Sequence, residues 1–145
     1  MSISVFQQLE LAGRALSVQR TRLDVASTNL ANAETTRTAE GTPFRRKDVI
    51  LAEDQVADSF GNALDAAIAS VKVDEIRDDA APPRMVYEPG HPDANADGYV
   101  AYPNINTVEE MVNMITTMRT YQANLSAFGA VKEMAEQALG IGRNV

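Results

Sequence analysis

Few side chains in this sequence are of the kind that catalyse reactions. His91 is the only histidine and there is no cysteine, which excludes thiolate metal sites, multi-histidine metal sites and histidine-based triads. No serine lies in a Gly-x-Ser-x-Gly setting, and no glycine-rich loop could hold a phosphate. His91 lies between Gly90 and Pro92, which favours a role in a turn. The sequence therefore predicts a protein that is not an enzyme and uses no cofactor.

One acidic segment could bind calcium. Asp93 to Gly98 matches the first half of an EF-hand loop, with oxygen ligands at positions one, three and five and glycine at position six. The position of the bidentate glutamate is Asn104, and Pro89 and Pro92 exclude an entering helix. We therefore favour a turn in which Asp and Asn side chains bond their own backbone. A calcium-binding coiled-coil adaptor is the alternative from a different functional class.

Size and charge exclude several further classes. The chain has 145 residues, which suits one domain, and its net charge of -7 makes nucleic acid a poor partner. The basic triplet Arg45–Lys47 is interpreted as solvated or as protecting a strand edge, with no ligand. No apolar run is long enough to span a membrane. The alternating residues at the N-terminus predict no cleaved leader, and nothing indicates a small-molecule substrate.

The first segment has the heptad pattern of a long helix. Leucine recurs every seven residues, at Leu9, Leu16, Leu23 and Leu30. The complementary position holds Val5, Ala12, Gln19, Ala26 and Ala33, and a flanking position holds Leu11, Val18 and Val25. Ser4 and Gln7 form a capping box, which predicts a helix start near Ser4.

The last segment, Thr107 to Leu139, repeats this design. One heptad position holds Met111, Met118, Leu125 and Leu139, and the other holds Met114, Tyr121, Phe128 and Ala135. Val108, Val112 and Ile115 widen the stripe. Thr107 and Glu110 form a second capping box, and Gly140 followed by Gly142 predicts a left-handed stop.

The middle of the chain changes to short alternating segments separated by turn residues. Strands are predicted at Phe44–Ala52, Val71–Ile76, Met85–Tyr87 and Tyr99–Tyr102, while residues 54–70 stay ambiguous. The expected fold class is mainly α, with long N- and C-terminal helices in a coiled-coil-like pair and a small β-rich insert. The expected division is an N-terminal helix in residues 1–36, a β-rich region in 37–104 and a C-terminal helix in 105–145.

Two such helices are too long for so small a middle region to cover. A plain two-helix hairpin or a homodimer would satisfy the heptad pattern equally well, but one thin stripe buries little apolar surface. Packing against neighbouring subunits would complete the burial. A further hypothesis is that the terminal helices of the free monomer stay largely disordered until neighbours bind.

Four segments resemble a known family. Ala26–Thr36 (ASTNLANAETT) resembles the motif that closes the N-terminal helix of flagellar rod, hook and hook-associated axial proteins. Tyr87–Asn106 (YEPGHPDANADGYVAYPNIN) resembles the signature of the C-type proximal rod subunits of the basal body. Glu109–Val112 and Arg119–Asn124 resemble the C-terminal helix of the same family. The Tyr87–Asn106 signature argues against the alternative of a different rod or hook subunit.

The resemblance implies a structural subunit of the periplasmic rod, exported through the flagellar type III apparatus without a cleaved leader. Its implied partners are copies of itself, other rod subunits, the inner-membrane ring and the export apparatus, with the terminal helices around the export channel. Asn29 and Asn32 are expected both to make assembly contacts and to cap the helix. The complete predicted assembly interface is Leu9, Leu16, Leu23, Leu30, Asn29, Asn32, Met111, Met118, Tyr121, Leu125, Phe128 and Leu139.

Overall fold

Two long helices flank a small antiparallel strand region, as the sequence predicts. A computed structural model describes residues 5–55 and 69–142. The elements in chain order are α1 (Val5–Ala31), β1 (Lys47–Gln55), β2 (Ala69–Asp78), β3 (Arg84–Tyr87), β4 (Tyr99–Tyr102) and α2 (Thr107–Gly142). Helix α1 has 27 residues and α2 has 36, so they are about 40 and 54 Å long.

The strands form two separate two-stranded sheets. β1 pairs with β2 from Lys47↔Asp78 to Gln55↔Ala69, with a bulge between Ile50 and Leu51. β3 pairs with β4 from Arg84↔Tyr102 to Tyr87↔Tyr99. β1 begins three residues later than predicted because the amide of Phe44 donates to the carbonyl of Thr35, which ties this residue to the segment after α1. Residues 56–68, within the ambiguous stretch, lie outside the described residues.

The two helices contact each other and run antiparallel. The end of α1 lies beside the start of α2, where Asn29 approaches Glu110, and one turn further along Val25 and Ala26 share a cleft with Thr117. β1 and β2 pack against α1 as well. The most deeply buried residues of α1 are Val18, Val25, Ala26 and Asn29. The core of the molecule is therefore a narrow layer between α1 and its two neighbours.

The predicted seam is wrong for one of its two positions in α2. The inner face of α2, which packs towards α1, consists of buried or half-buried residues on two heptad positions: Glu110, Met114, Thr117, Tyr121, Asn124, Phe128, Val131 and Ala135. The other predicted position is exposed, with Met111, Met118 and Leu125 each about half accessible. Both positions are apolar, and periodicity alone does not tell which of them faces the partner helix.

The ends of α2 also differ from the predicted ones. The cap is Asn106, whose side-chain oxygen accepts hydrogen bonds from the amides of Val108 (3.1 Å) and Glu109 (3.4 Å). The predicted capping box of Thr107 and Glu110 is therefore wrong, because the Glu110 carboxylate binds Arg46 instead. At the other end α2 passes through Gly140 and continues to Gly142. The cap predicted at Ser4 lies outside the described residues.

Candidate assembly interface

Asn29 joins the end of α1 to β1. Its side-chain oxygen accepts a hydrogen bond from the Lys47 amide (2.8 Å), and its Nδ2 donates to the Lys47 carbonyl (2.9 Å). The same Nδ2 lies 3.5 Å from Oε2 of Glu110. Asn29 is only 1% exposed, so these bonds form in a site that largely excludes water. The Asn29 carboxamide therefore bonds the backbone N–H and C=O of Lys47 in the way that a neighbouring β-strand would.

Arg46 joins the same site to α2. Its Nε donates to Oε1 of Glu110 (2.7 Å), and another guanidinium nitrogen pairs with Asp48. Glu110 is 3% exposed, while the Arg46 side chain is 24% exposed. Burial lowers the pKa of the Arg46 guanidinium. The bond to Glu110 and the charges of Glu110 and Asp48 raise it by more than burial lowers it, so the pKa of Arg46 lies above its ordinary value. We call Asn29, Arg46, Lys47 and Glu110 the polar junction.

The basic triplet is therefore not simply solvated, as the sequence suggested. Within the triplet, only Arg45 is exposed, and it is not part of the polar junction. Lys47 pairs with Asp78 across the β1–β2 ladder at 2.8 Å, which is an exposed contact at the open end of the hairpin. Arg46 has a partner 64 residues away in the chain, and no local pattern indicates such a contact.

Asn32 acts locally at the end of α1. Its Nδ2 donates to the Thr28 carbonyl (2.9 Å), and its side-chain oxygen accepts a hydrogen bond from the Thr35 hydroxyl (3.2 Å). No described residue other than Gly41 and Gly98 has a positive φ, so the cap does not use the left-handed conformation that we expected. Asn29 thus connects α1 to β1, whereas Asn32 makes hydrogen bonds only within the turn that ends α1.

The loop between β3 and β4 is held by its own side chains. Asn95 accepts hydrogen bonds from the amides of Asp97 (3.0 Å) and Tyr99 (2.9 Å), which confirms the predicted turn. His91 accepts a hydrogen bond from the Asp93 amide at Nδ1 (3.1 Å), which confirms its role in a turn. The Asp93 carboxylate accepts a hydrogen bond from the Thr36 hydroxyl (2.8 Å) and pairs with Arg37 (3.3 Å). The acidic segment thus binds the segment after α1.

Gly98 fixes the end of this loop against the hairpin. Its φ is +80°, which a residue with a Cβ adopts only with strain. A Cβ there would lie 2.8 Å from Cε2 of Tyr87 and 3.2 Å from Cβ of Pro89. The Tyr87 and Tyr99 rings meet edge to face with centroids 5.3 Å apart. The signature from Tyr87 to Asn106 therefore encodes a compact hairpin, followed by the cap of α2.

Beside its inner face, α2 carries a row of large apolar residues that is interrupted only at Gln122. We call this row the outer stripe; it consists of Val108, Met111, Val112, Ile115, Met118 and Leu125. Each of these residues is between 46% and 68% exposed. The row is about 26 Å long, from Val108 to Leu125. Isolated exposed apolar residues are ordinary, but a row in which five of the six residues, from Val108 to Met118, are contiguous is typical of a surface that another molecule covers.

The structure divides the predicted interface residues into three groups. Leu9, Leu16, Leu23 and Leu30 on α1 and Tyr121 and Phe128 on α2 are half-buried. Met111, Met118, Leu125 and Leu139 are exposed, while Asn29 is buried and Asn32 partly buried at the end of α1. The half-buried group is partly covered within one chain. The exposed group is available for contacts with other chains.

Sequence reasoning missed Arg46 and Glu110 as partners. Glu110 was predicted only as part of a cap and as part of a family-like segment. Its sequence signal is its position one turn into the helix, four residues before Met114, where a charged residue lies beside the apolar row of Met114, Tyr121 and Phe128. A charged residue that is buried by helix packing needs a partner of opposite charge, so this position predicts an ion pair for Glu110.

Two family models match the two ends of the chain. The model described as flagella basal body rod protein matches residues 9–37, which include most of α1 and its closing turn. The model described as flagellar basal body rod FlgEFG protein C-terminal matches residues 96–141, which include β4 and nearly all of α2. The polar junction therefore joins residues from both matched regions, Asn29 from the first and Glu110 from the second.

Curated relatives match over almost the whole chain. The flagellar basal-body rod protein FlgC of Bacillus subtilis (strain 168) is 40% identical, over 97% of this chain and 100% of the relative. FlgC of Escherichia coli O6:H1 is 42% identical over 92% of this chain and 95% of the relative. FlgC of Aquifex aeolicus (strain VF5) is 36% identical over 93% and 95%.

Proposed function

This chain belongs to the FlgC family of flagellar basal-body rod proteins, structural subunits of the basal body, and we propose that it polymerises helically with copies of itself and with other rod subunits. The assembled subunits would form part of the drive shaft and of the wall around the export channel. In this proposal the protein has no catalytic role, and its helices form a coiled-coil-like pair.

The observation that supports polymerisation is the outer stripe of α2. Within one chain the inner face of α2 already contacts α1, so the outer stripe has no described intramolecular partner helix. Its exposed methionine, valine, isoleucine and leucine side chains could bury apolar surface against another helix, at roughly 25 cal/mol per Å². Methionines at two of the six positions would let the surface adapt to more than one partner.

An open polymer needs two different complementary surfaces on each subunit. The outer stripe would be one of them. The outward side of α1 would be the other; its exposed residues are polar and include Glu10, Ser17, Arg20 and Asp24. Contacts between two such unlike surfaces repeat from subunit to subunit without closing into a symmetric dimer. This arrangement favours a helical assembly over the homodimer.

The remaining partners follow from the family. We propose that the subunit lies in the periplasm, reaches it through the flagellar export apparatus without a cleaved leader, and contacts the inner-membrane ring. No helix of the described residues is long and apolar enough to span a bilayer.

The test replaces two residues of the outer stripe with charged residues. The double variant Ile115→Asp with Met118→Asp, in a strain that lacks the native protein, should abolish rods and swimming because it places carboxylates in a contact that must exclude water. Circular dichroism of the purified variant should match the native protein, since both side chains are about half exposed in the single chain.

The matched control is Thr116→Asp with Thr120→Asp. Both threonines are exposed on α2 in the same turns, but they lie outside the outer stripe. This control should swim normally. Normal swimming and normal rods in the Ile115 and Met118 variant, at native protein level, would contradict the proposed interface. Absence of the tagged native protein from purified basal bodies would contradict the proposed function as a whole.

A further inference from the structure

Heptad repeats leave the alignment of the two helices poorly defined. On α1 leucine recurs at Leu9, Leu16, Leu23 and Leu30, and on α2 the half-buried row runs Met114, Tyr121, Phe128. Sliding one helix by seven residues, about 10 Å, replaces leucine by leucine and one large apolar side chain by another. Apolar contacts are not directional, so they discriminate weakly between these alignments.

Directional contacts between the helices are concentrated at the polar junction. There Glu110 accepts from Arg46 at 2.7 Å, and Asn29 pairs with both polar atoms of the Lys47 peptide at 2.8 and 2.9 Å. A shifted alignment would move Glu110 away from Arg46 and leave a nearly buried carboxylate without its cation. If β1 moved with α2 instead, the carboxamide of Asn29 would lose its bonds to Lys47. Both outcomes are strongly unfavourable.

We propose that Arg46 is a positioning residue that selects one alignment of α1 and α2, and that Asn29 and Glu110 are the groups through which it acts. Arg46 suits this task because one planar guanidinium bonds Glu110 on α2 and Asp48 on β1 at the same time. Asn29 fixes the preceding helix to the next residue of the same strand. β1 thus holds the end of α1 and the start of α2 at one fixed offset.

The consequence for assembly rests on the proposed function. One proposed surface, the outer stripe, is on α2 and the other is on α1. A slip of one heptad between the helices would therefore displace one surface along the other by about 10 Å. A subunit in the wrong alignment would then present surfaces that do not match its neighbours. The junction therefore contributes specificity that apolar packing of the helices does not supply.

The test separates alignment from stability. In the double variant Arg46→Met with Glu110→Met, two apolar side chains of similar length replace the ion pair, so the thermal midpoint should equal or exceed that of the native protein. Because the native chain has no cysteine, spin labels can be attached to single cysteines introduced at the exposed residues Ser17 and Thr120. Electron–electron double resonance measures the distance between the two labels. It should give one narrow distance distribution for the native sequence and a second population, shifted by several ångströms, for the double variant.

Assembly is measured on the unlabelled double variant. We expect at least a tenfold decrease in rods per cell despite unchanged stability. A single narrow distance at the native value, or rods at the native number, would overturn the proposal. If the double variant does not fold, Arg46→Lys carries the same test, because lysine keeps the charge but has no fork to bond Glu110 and Asp48 together. Native behaviour of Arg46→Lys in both measurements would also overturn it.

This design keeps the two proposals distinguishable. If the native protein were absent from basal bodies, the proposed function would fail, while the distance measurement on the purified protein would still decide whether Arg46 selects the alignment. If the native protein were present and the double variant assembled normally, only the positioning role would fail.

Discussion

The distribution of polar and apolar residues on the two faces of α2 is the reverse of that on a typical surface helix. The inner face, which packs against α1, includes the polar residues Glu110, Thr117 and Asn124 among its apolar ones. The outer stripe is entirely apolar and exposed. A helix of a self-contained protein places its apolar residues inward and its polar residues outward. This difference supports the proposals that the contact within the chain provides specificity and that the outer stripe contacts other chains.

Two neighbouring glutamates give the largest expected contrast between these faces. Glu110→Ala should lower the free energy of unfolding by about 3 kcal/mol, the lower end for breaking a buried ion pair, since Arg46 keeps partial access to water. Glu109→Ala, in the same turn but exposed, should cost about 0.5 kcal/mol through the helix dipole. Urea unfolding followed by circular dichroism measures both. Equal losses would refute the distinction between the faces.

The two asparagines near the end of α1 provide the second contrast. Asn29→Ala should lower the free energy of unfolding by about 2 kcal/mol, because it leaves the part-buried N–H and C=O of Lys47 without the partner that Asn29 provides. Asn32→Ala should cost about 1 kcal/mol or less, since water can replace a local cap. The same urea titration applies. A larger loss for Asn32 than for Asn29 would show that the turn matters more than the junction.

Two methionines of α2 test the apolar part of each face. Met114→Ala on the inner face should cost about 1 kcal/mol of monomer stability, below the value for a full core site because Met114 is only half-buried. Met111→Ala on the outer stripe should leave monomer stability unchanged and lower the number of rods. The reverse pattern, with stability lost at Met111 and assembly unaffected, would mean that the outer stripe is covered within the chain.

The smallest expected effect comes from an exposed contact in the β3–β4 hairpin. The Tyr102 hydroxyl donates to Glu88 (3.0 Å), and this bond, with burial and the Glu88 charge, raises the pKa of Tyr102 above its ordinary value of 10.0. Since the pKa is raised on folding, the stabilisation is complete below the unfolded pKa and disappears as the pH rises through the folded one. Glu88→Gln should therefore lower the Tyr102 pKa.

Nuclear magnetic resonance titration of ring-labelled tyrosine measures this change. Glu88 and Tyr102 are on the hairpin, so stability at neutral pH should be almost the same in Glu88→Gln and in the native protein. A large loss of stability would mean that exposed polar contacts matter as much as the buried junction, and the contrast drawn from α2 would lose its basis.

Much of the fold could be predicted because its signals are local. Within residues 5–55 and 69–142, heptad spacing located both helices, and short alternating runs between turn residues located all four strands, with Tyr99–Tyr102 matched at both ends. The turn at Asn95 followed from residue types that bond their own backbone. Each of these features depends on residues within a few positions of one another.

The rest depended on distant pairings. The orientation of the helices and the partner of Arg46 are set by contacts across more than 60 residues, which spacing along the chain does not encode. The wrong half of the α2 seam had a different cause: Met111 and Met114 are both apolar and both heptad-spaced, so only the position of α1 decides between them. The assembly role of the predicted interface residues remains a prediction.

The antiparallel arrangement has a consequence for how this family can vary. Val5 and Gly142, the outermost described residues of the two helices, belong to one end of the pair, and the chain leaves and re-enters the pair at the opposite end, where Asn29 meets Glu110. Residues inserted into the hairpins would therefore lengthen a side excursion and leave the spacing of the helices intact. Variation in the hairpins could therefore change the contacts of the strand region while the pairing of α1 with α2 stays the same.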